Sequence, residues 1–266
     1  MGRAHVDTAV PERLSGPSLF ARYAYAPNEL GYCGPSDSLA LIESATQGSN
    51  DGLVSQLARQ FEGAWPYLQL IAASNGIGDP LDRRVVEAYW IGNELVRGVP
   101  ALSLATALDD RFACRAGALT GSIVSAAFTG AVTQHSFHVF AVYPWLGMLR
   151  AGRVGAPLEV LDRCRIRWGR VVEVSGDLVT VSSQPLQFKG SRLVLGPEDQ
   201  EVVRRARDGM GFVDSLEVGC AVSMHWDWVC DRLSARSLRW LRACTSANLN
   251  AVNALASPGP AVVCGA

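Results

Sequence analysis

The sequence predicts an α+β fold, with a helical N-terminal region, a small antiparallel β module of barrel-like form and a closing amphipathic helix. Three observations carry this. Through roughly the first 130 residues, apolar side chains recur at three- and four-residue steps, the spacing of one helix face. From Arg165 the apolar period shortens to two, as in strands with one buried side. Past Ser234 the helical step returns and runs to about residue 256. Hydrophobic residues make up 48% of the 266 and charged ones 18%, enough apolar surface to bury a core in one large domain or two small ones.

Residues 1–18 mix proline, glycine and charge without periodicity and read as a mobile leader, so the fold is expected to begin near Leu19. After the turn-rich APNELGYCGP, Pro35 suits a first helical position and Ser36 and Asp37 a first turn, which predicts a helix over about 35–47. Leu53, Leu57, Phe61, Ala64, Leu68 and Ile71 mark one face of a further helix that Pro66 kinks or divides. Asp79 caps Pro80 and a helix carrying Leu81, Val85, Tyr89 and Gly92 to about 97, and Pro100 opens a shorter one to about 109. HSFHVFAVY, His135 to Tyr143, is aromatic and β-branched and predicts a buried strand stopped by Pro144. RIRWGRVVEV, LVTVSS, PLQF and RLVLG, parted by Ser-Gly-Asp and Lys-Gly turns, predict a meander. A charged helix over about 198–208 interrupts it, the strand VSMHWDW follows, and Ser234 caps the closing helix. The expected organisation is a leader (1–18), a mainly helical region (19–155), the β module (156–232) and the closing helix with its tail (233–266), in one cooperative unit.

With 24 basic and 25 acidic residues the formal charge is -1, so the chain lacks the electrostatic footprint of a nucleic-acid binder. No stretch approaches the roughly 20 apolar residues of a membrane span, and the start lacks a signal peptide's apolar core, so a cytoplasmic chain is expected. The seven cysteines are scattered and form no C-x-x-C pair, a poor fit to a zinc ribbon or a disulfide framework. No glycine-rich phosphate loop is present. Neither a cofactor nor a metal is expected. A centre built from His135 or His138 with His225 and a carboxylate is chemically conceivable, since imidazole suits several transition metals, but no compact ligand spacing supports it.

Four segments hold the side chains able to do chemistry. Cys33 precedes a predicted helix N-terminus, where backbone N–H groups lower a thiol's pKa and favour the nucleophilic thiolate. The plainer reading is a tight turn shaped by Gly31, Gly34 and Pro35. Asp37 is a catalytic carboxylate or an ordinary cap. On a strand, His135 and His138 face opposite ways and only one lines a given pocket. In MHWDWVCD, His225 and Asp227 share a face, as a base and the carboxylate that orients it, or else sit on the barrel rim while the tryptophans pack. Tyr89 and Asn93 fall on adjacent turns of one helix. The catalytic candidates are thus Cys33, Asp37, His138, His225 and Asp227. Tyr32, Tyr89, Asn93, His135, Tyr143 and Trp226 are candidates to bind substrate, a small polar metabolite held in a cleft between helical region and β module.

Taken together, FARYAYAPNELGYCGPSD, VVEAYWIGNEL, QHSFHVFAVYPW and VSMHWDWVCDRL resemble an uncharacterised actinobacterial family often encountered beside nickel-iron hydrogenase genes, over about residues 20–256. That resemblance implies no reaction and no catalytic residue. It does imply an alternative role without catalytic activity, an accessory or interaction protein of hydrogenase assembly whose four segments bind a partner peptide or a metallocentre precursor, with the tryptophans as interface anchors; a protein partner or homo-oligomer is the expected association. A second resemblance is to enzymes of actinobacterial natural-product pathways, including the cyclases that close the aziridine ring of azinomycin-type compounds. It implies a cofactor-free intramolecular cyclisation, in which a base deprotonates an amine and an anionic group departs.

Overall fold

Helix α1 (Gly16–Glu29) is buried on almost every side and packs on both halves of the molecule. The computed structural model describes residues 14–47, 51–107, 125–213 and 215–255. Ser15 caps α1, its Oγ accepting from the Ser18 N–H at 3.1 Å. Residues 16–18, expected in the leader, are therefore helical, and so is FARYAYAPNE; residues 1–13 lie outside the described residues.

Helix α2 (Ser38–Gln47) starts three residues later than expected, because Asn28 holds the loop before it. Its Nδ2 donates to the carbonyls of Cys33 at 2.8 Å and Pro35 at 2.5 Å. Helices α3 (Asp51–Ala58) and α4 (Trp65–Ser74) follow, with Pro66 in the first turn of α4, where its missing N–H costs nothing, rather than at a kink. Asp82, not Asp79, caps α5 (Arg83–Trp90), accepting from the Arg84 N–H at 2.8 Å. A 3-10 turn (Glu94–Gly98) and a helical stretch over 101–107 come next; the rest of the helix expected to about 109 lies outside the described residues.

The expected strand at 135–143 is helical. Helix α6 (His135–Phe137) passes into a π-helical turn (His138–Val142). Its run is apolar on every side, so no period separates helix from strand. Capping amides decide the matter. Gln134 Oε1 accepts from the Ser136 N–H at 2.9 Å, its Nε2 donates to the Trp90 carbonyl at 2.7 Å, and Asn248 Nδ2 reaches Ser136 Oγ at 2.9 Å. Two short helices, α7 (Trp145–Arg150) and α8 (Ala156–Cys164), lead to the β module.

Its strands are β1 (Arg167–Ser175), β2 (Leu178–Ser183), β3 (Leu186–Lys189), β4 (Arg192–Leu195), β5 (Asp199–Arg204), β6 (Ala206–Arg207), β7 (Met210–Gly211), β8 (Ala221–His225) and β9 (Trp228–Arg232). β1, β2, β5, β9 and β8 close a barrel in that order, with Val171, Val179, Val181, Val203, Val222 and Met224 buried within. β5 is the segment expected as a charged helix. Its Pro, acidic start and basic end imitate helix signals, but Val203 fills the barrel while Glu201 reaches Arg167 and Ser183. β3 and β4 form a separate two-stranded sheet, so the expected meander breaks after its second strand.

Helix α9 (Ala235–Ala254), capped by Ser234 as expected, closes the structure. Near its end Asn253 takes both backbone groups of Leu193 in β4, at 2.9 and 2.8 Å. One turn and a half earlier, Asn248 Oδ1 accepts from the Val132 N–H at 2.8 Å. No helix among the described residues is long and apolar enough to cross a membrane.

Asn248 thus ties α9 to the histidine-bearing turn through two hydrogen bonds, one to the Val132 N–H and one to Ser136 Oγ. Asn248→Ala is expected to cost about 1–3 kcal/mol in urea unfolding, the penalty of unpaired buried polar groups. A change within about 0.5 kcal/mol, the range of an ordinary surface substitution, would show that the turn holds without it.

Candidate functional site

Alternation along β8 turns Val222 and Met224 into the barrel and Ser223 and His225 outward onto α1. Tyr23 Oη meets Ser223 Oγ at 2.8 Å. The Tyr23 carbonyl then settles the state of His225. In a regular helix that carbonyl would accept from the residue four positions on, which is Pro27 and has no N–H. His225 Nδ1 donates to it instead, at 2.6 Å. A carbonyl only accepts, so the proton of the neutral imidazole sits on Nδ1 and Nε2 keeps a bare electron pair. That Nε2 is buried and makes no hydrogen bond of ordinary length among the described residues, although the Cys164 backbone also acts on the ring.

His135 opens α6 and lies against His225, ring centroids 5.2 Å apart, with the Trp90 indole packed on both. Its Nε2 is 2.8 Å from the Cys164 carbonyl and its Nδ1 3.0 Å from Tyr89 Oη, which in turn lies 2.8 Å from the Gly63 carbonyl. Both ends of this chain are acceptors. Three contacts need three protons, and a neutral imidazole with a phenol supplies two. Burial nonetheless holds His135 neutral, pushing its pKa well below the ordinary value, with His225 beside it acting the same way.

Cys164 is the last residue of α8, whose end is pinned on two sides. The Trp226 N–H donates to the Arg163 carbonyl at 2.8 Å, and buried Arg165 pairs with Asp162 at 2.8 Å and with the Gln184 carbonyl at 2.6 Å. One nitrogen from each of His135 and His225 and the Cys164 sulfur all lie within 4.8 Å of one another. His138 comes three residues after His135 and so looks the same way, because the segment is a helix and not a strand. Its Nδ1 meets Tyr67 Oη at 3.1 Å. Gly63 gives it room, since a Cβ there would stand 2.8 Å from Nε2.

These groups surround a hollow of about 20 Å³, the space of a single water-sized group. Pro27, Cys33 and Tyr143 complete its wall, and Tyr32, half exposed, stands at its mouth stacked on Trp226 at 4.2 Å. No carboxylate, guanidinium or ammonium is among the described residues that line it. Burial also pushes the Cys33 thiol up to about 12, the reverse of the lowering expected from a helix N-terminus; the helix begins at Ser38, beyond reach.

The structure therefore brings together Tyr32, Cys33, Tyr89, His135, His138, Tyr143 and His225 from the sequence-derived candidates. Asp37 is exposed and accepts from the Ala40 N–H at 3.4 Å, as a cap of α2. Asp227 does not orient His225: it sits in the turn after β8, half exposed, 3.9 Å from Arg204. Trp226, in a left-handed conformation at φ 54°, supports Tyr32. Asn93 caps the 3-10 turn and bonds the Arg84 carbonyl at 2.8 Å, away from the hollow. Sequence reasoning missed Cys164, Trp90, Tyr67 and Gly63. None carries a spacing signal toward a histidine, and Cys164 reads as one small buried residue among seven cysteines.

The fold and site define an α+β protein whose helical half meets a closed five-stranded barrel at an uncharged pocket of imidazole, phenol and thiol groups. Residues 12–258 match the model of the Family of unknown function (DUF6390), and the chain belongs to that family. This agrees with the uncharacterised family expected from the four segments; the match carries neither a hydrogenase nor an actinobacterial association. No curated protein and no solved structure matches the chain.

Burial lowers the pKa of His225 from 6.5 to about 4. Between those values the unfolded chain binds a proton that the folded one refuses, so stability falls as pH drops through this window. At roughly 1.4 kcal/mol per pKa unit, His225 alone should remove about 3 kcal/mol between pH 7 and pH 4. Urea unfolding at the two ends checks this, with His225→Gln giving the flatter profile; equal pH dependence in both proteins would refute it. A second test addresses Pro27. Pro27→Ala gives the Tyr23 carbonyl a helical donor, and the expected result is a shift of His225 toward the Nε2–H tautomer in histidine ¹⁵N spectra. Unchanged spectra would show that the proline is not what frees the carbonyl.

Proposed function

We propose that the chain is an enzyme of small-molecule chemistry, whose polar substrate inserts its reacting end into the junction hollow while its remainder lies at the mouth by Tyr32 and Tyr143. The observation that carries this reading is the buried, unpartnered electron pair on His225 Nε2. A bare acceptor enclosed in protein costs about 1–3 kcal/mol, and a site keeps one where the partner comes from outside.

The chemistry that fits these groups is proton transfer. His138, backed by Tyr67, carries the proton, and His225 Nε2 receives an electron-poor centre at the inner end of the hollow. Thiolate attack by Cys33 fits less well, since its burial favours the protonated thiol. The uncharged lining offers no cation to receive a departing anion, so it lends no support to a cyclisation that expels one.

A thermal-shift screen of small polar metabolites against wild type, His138→Gln and Gly63→Ala tests the reading. Compounds that stabilise the wild type should lose most of their effect in both variants, the first lacking the imidazole and the second crowding it. Hits that stabilise all three proteins equally would place binding elsewhere and defeat the proposal.

A further inference from the structure

We propose that His135, His225 and Cys164 hold one transition-metal ion of the borderline-to-soft kind, such as Zn(II), at the inner end of the hollow. This rests on the reading of the hollow as a catalytic site and names the electron-poor centre that His225 receives.

The first ground is geometric. The three donor atoms lie within 4.8 Å of one another and all three residues are buried. A tetrahedral ion with bonds of about 2.0–2.3 Å sets its donors about 3.3–3.7 Å apart, so the three draw together on loading. The donors come from β8, α6 and the end of α8, held by the Tyr23 carbonyl, the Gln134 cap and the Trp226 N–H on the Arg163 carbonyl.

The second ground is the hydrogen-bond pattern. Imidazoles that bind metal hold their other nitrogen's proton on a carbonyl or another oxygen, which fixes tautomer and ring orientation. His225 has this arrangement, with Nδ1–H on the Tyr23 carbonyl and Nε2 bare. His135 has it once Nε2 exchanges the Cys164 carbonyl, 2.8 Å away, for an ion. Nδ1–H then donates to Tyr89 Oη, Tyr89 O–H donates to the Gly63 carbonyl, and the proton deficit of that chain disappears. An ion at Nε2 supplies the positive centre that the third proton would otherwise bring.

The third ground is donor type. Two imidazole nitrogens and a sulfur suit zinc, cobalt or copper and reject magnesium and calcium, which take oxygen. Binding converts the Cys164 thiol to thiolate and releases its proton to solvent, leaving a bound unit of charge +1 for a divalent ion. Three protein ligands leave one position open, toward the space of one water molecule that His138 also lines.

Co(II) added to the chelator-treated full-length chain is the test. The expected result is one Co(II) per chain with a sulfur-to-cobalt charge-transfer band in the near ultraviolet, displaced by Zn(II). Cys164→Ser should abolish the band, and His225→Gln should weaken Co(II) binding at least roughly tenfold. His138→Gln should bind as wild type does. Absence of binding, a band that survives Cys164→Ser, or unaltered affinity in His225→Gln would each overturn the assignment. Should the buried variants fail to fold, X-ray absorption on Zn(II)-loaded wild type decides: a shell with one sulfur and two imidazoles supports the site, and a shell of oxygen and nitrogen alone refutes it. Loss of metal binding with the His138→Gln effect on metabolite binding intact removes this inference only. The converse removes only the enzyme reading.

Discussion

One hydrogen bond organises the junction: the donation from His225 Nδ1 to the carbonyl of Tyr23. It exists because a proline sits inside a buried helix. Pro27 deprives its own helix of a donor, a defect that ordinarily costs about 3 kcal/mol and bends the chain. Here the barrel repairs the defect from outside, and the repair fixes which nitrogen of His225 is bare. The Tyr23 phenol, bonded to Ser223 on the same strand, makes the contact two-pronged, so helix and strand hold one rotation relative to each other.

Helix ends complete the junction. The last carbonyls of α8 have no partner within that helix, and two groups from elsewhere take them: the Trp226 N–H bonds that of Arg163, and His135 Nε2 lies on that of Cys164. A strand turn and a second helix are thereby drawn onto one terminus, with Cys164 beside both imidazoles. The pocket follows from satisfying ordinary backbone groups. Its chemistry comes from the choice of histidine for two of the satisfying side chains.

The parts of this arrangement visible in the sequence are those set by local pattern. Alternating residues in LVTVSS mark a strand because one face of it is buried, and Ser234 marks α9 because its hydroxyl has a local amide to cap. The α+β class and the helical first half follow from such signals. Where remote contacts decide, the pattern misleads. HSFHVFAVY looks like a strand by composition, yet Gln134, Trp90 and Asn248 wind it into a helix, and that winding turns His135 and His138 to the same side. PEDQEVVRR carries helix end signals, yet the barrel needs Val203. Seven of the eleven sequence-derived site residues line the hollow. Asp37, Asp227 and Asn93 fall away because each finds a local structural use, and Cys164 was illegible because its nearness to His135 and His225 is created only by the close of α8 on the barrel turn.

The two asparagines of α9 lie five residues apart, about 7.5 Å of helical rise. One end of that span grips the backbone of β4 and the other grips the turn that begins α6. A rod clamped at two points cannot slide, so α9 works as a caliper between a hairpin outside the barrel and the base of the histidine turn. A displacement of β4 would carry Ser136, and with it the neighbouring imidazole, although the two stand nearly sixty residues apart in the chain.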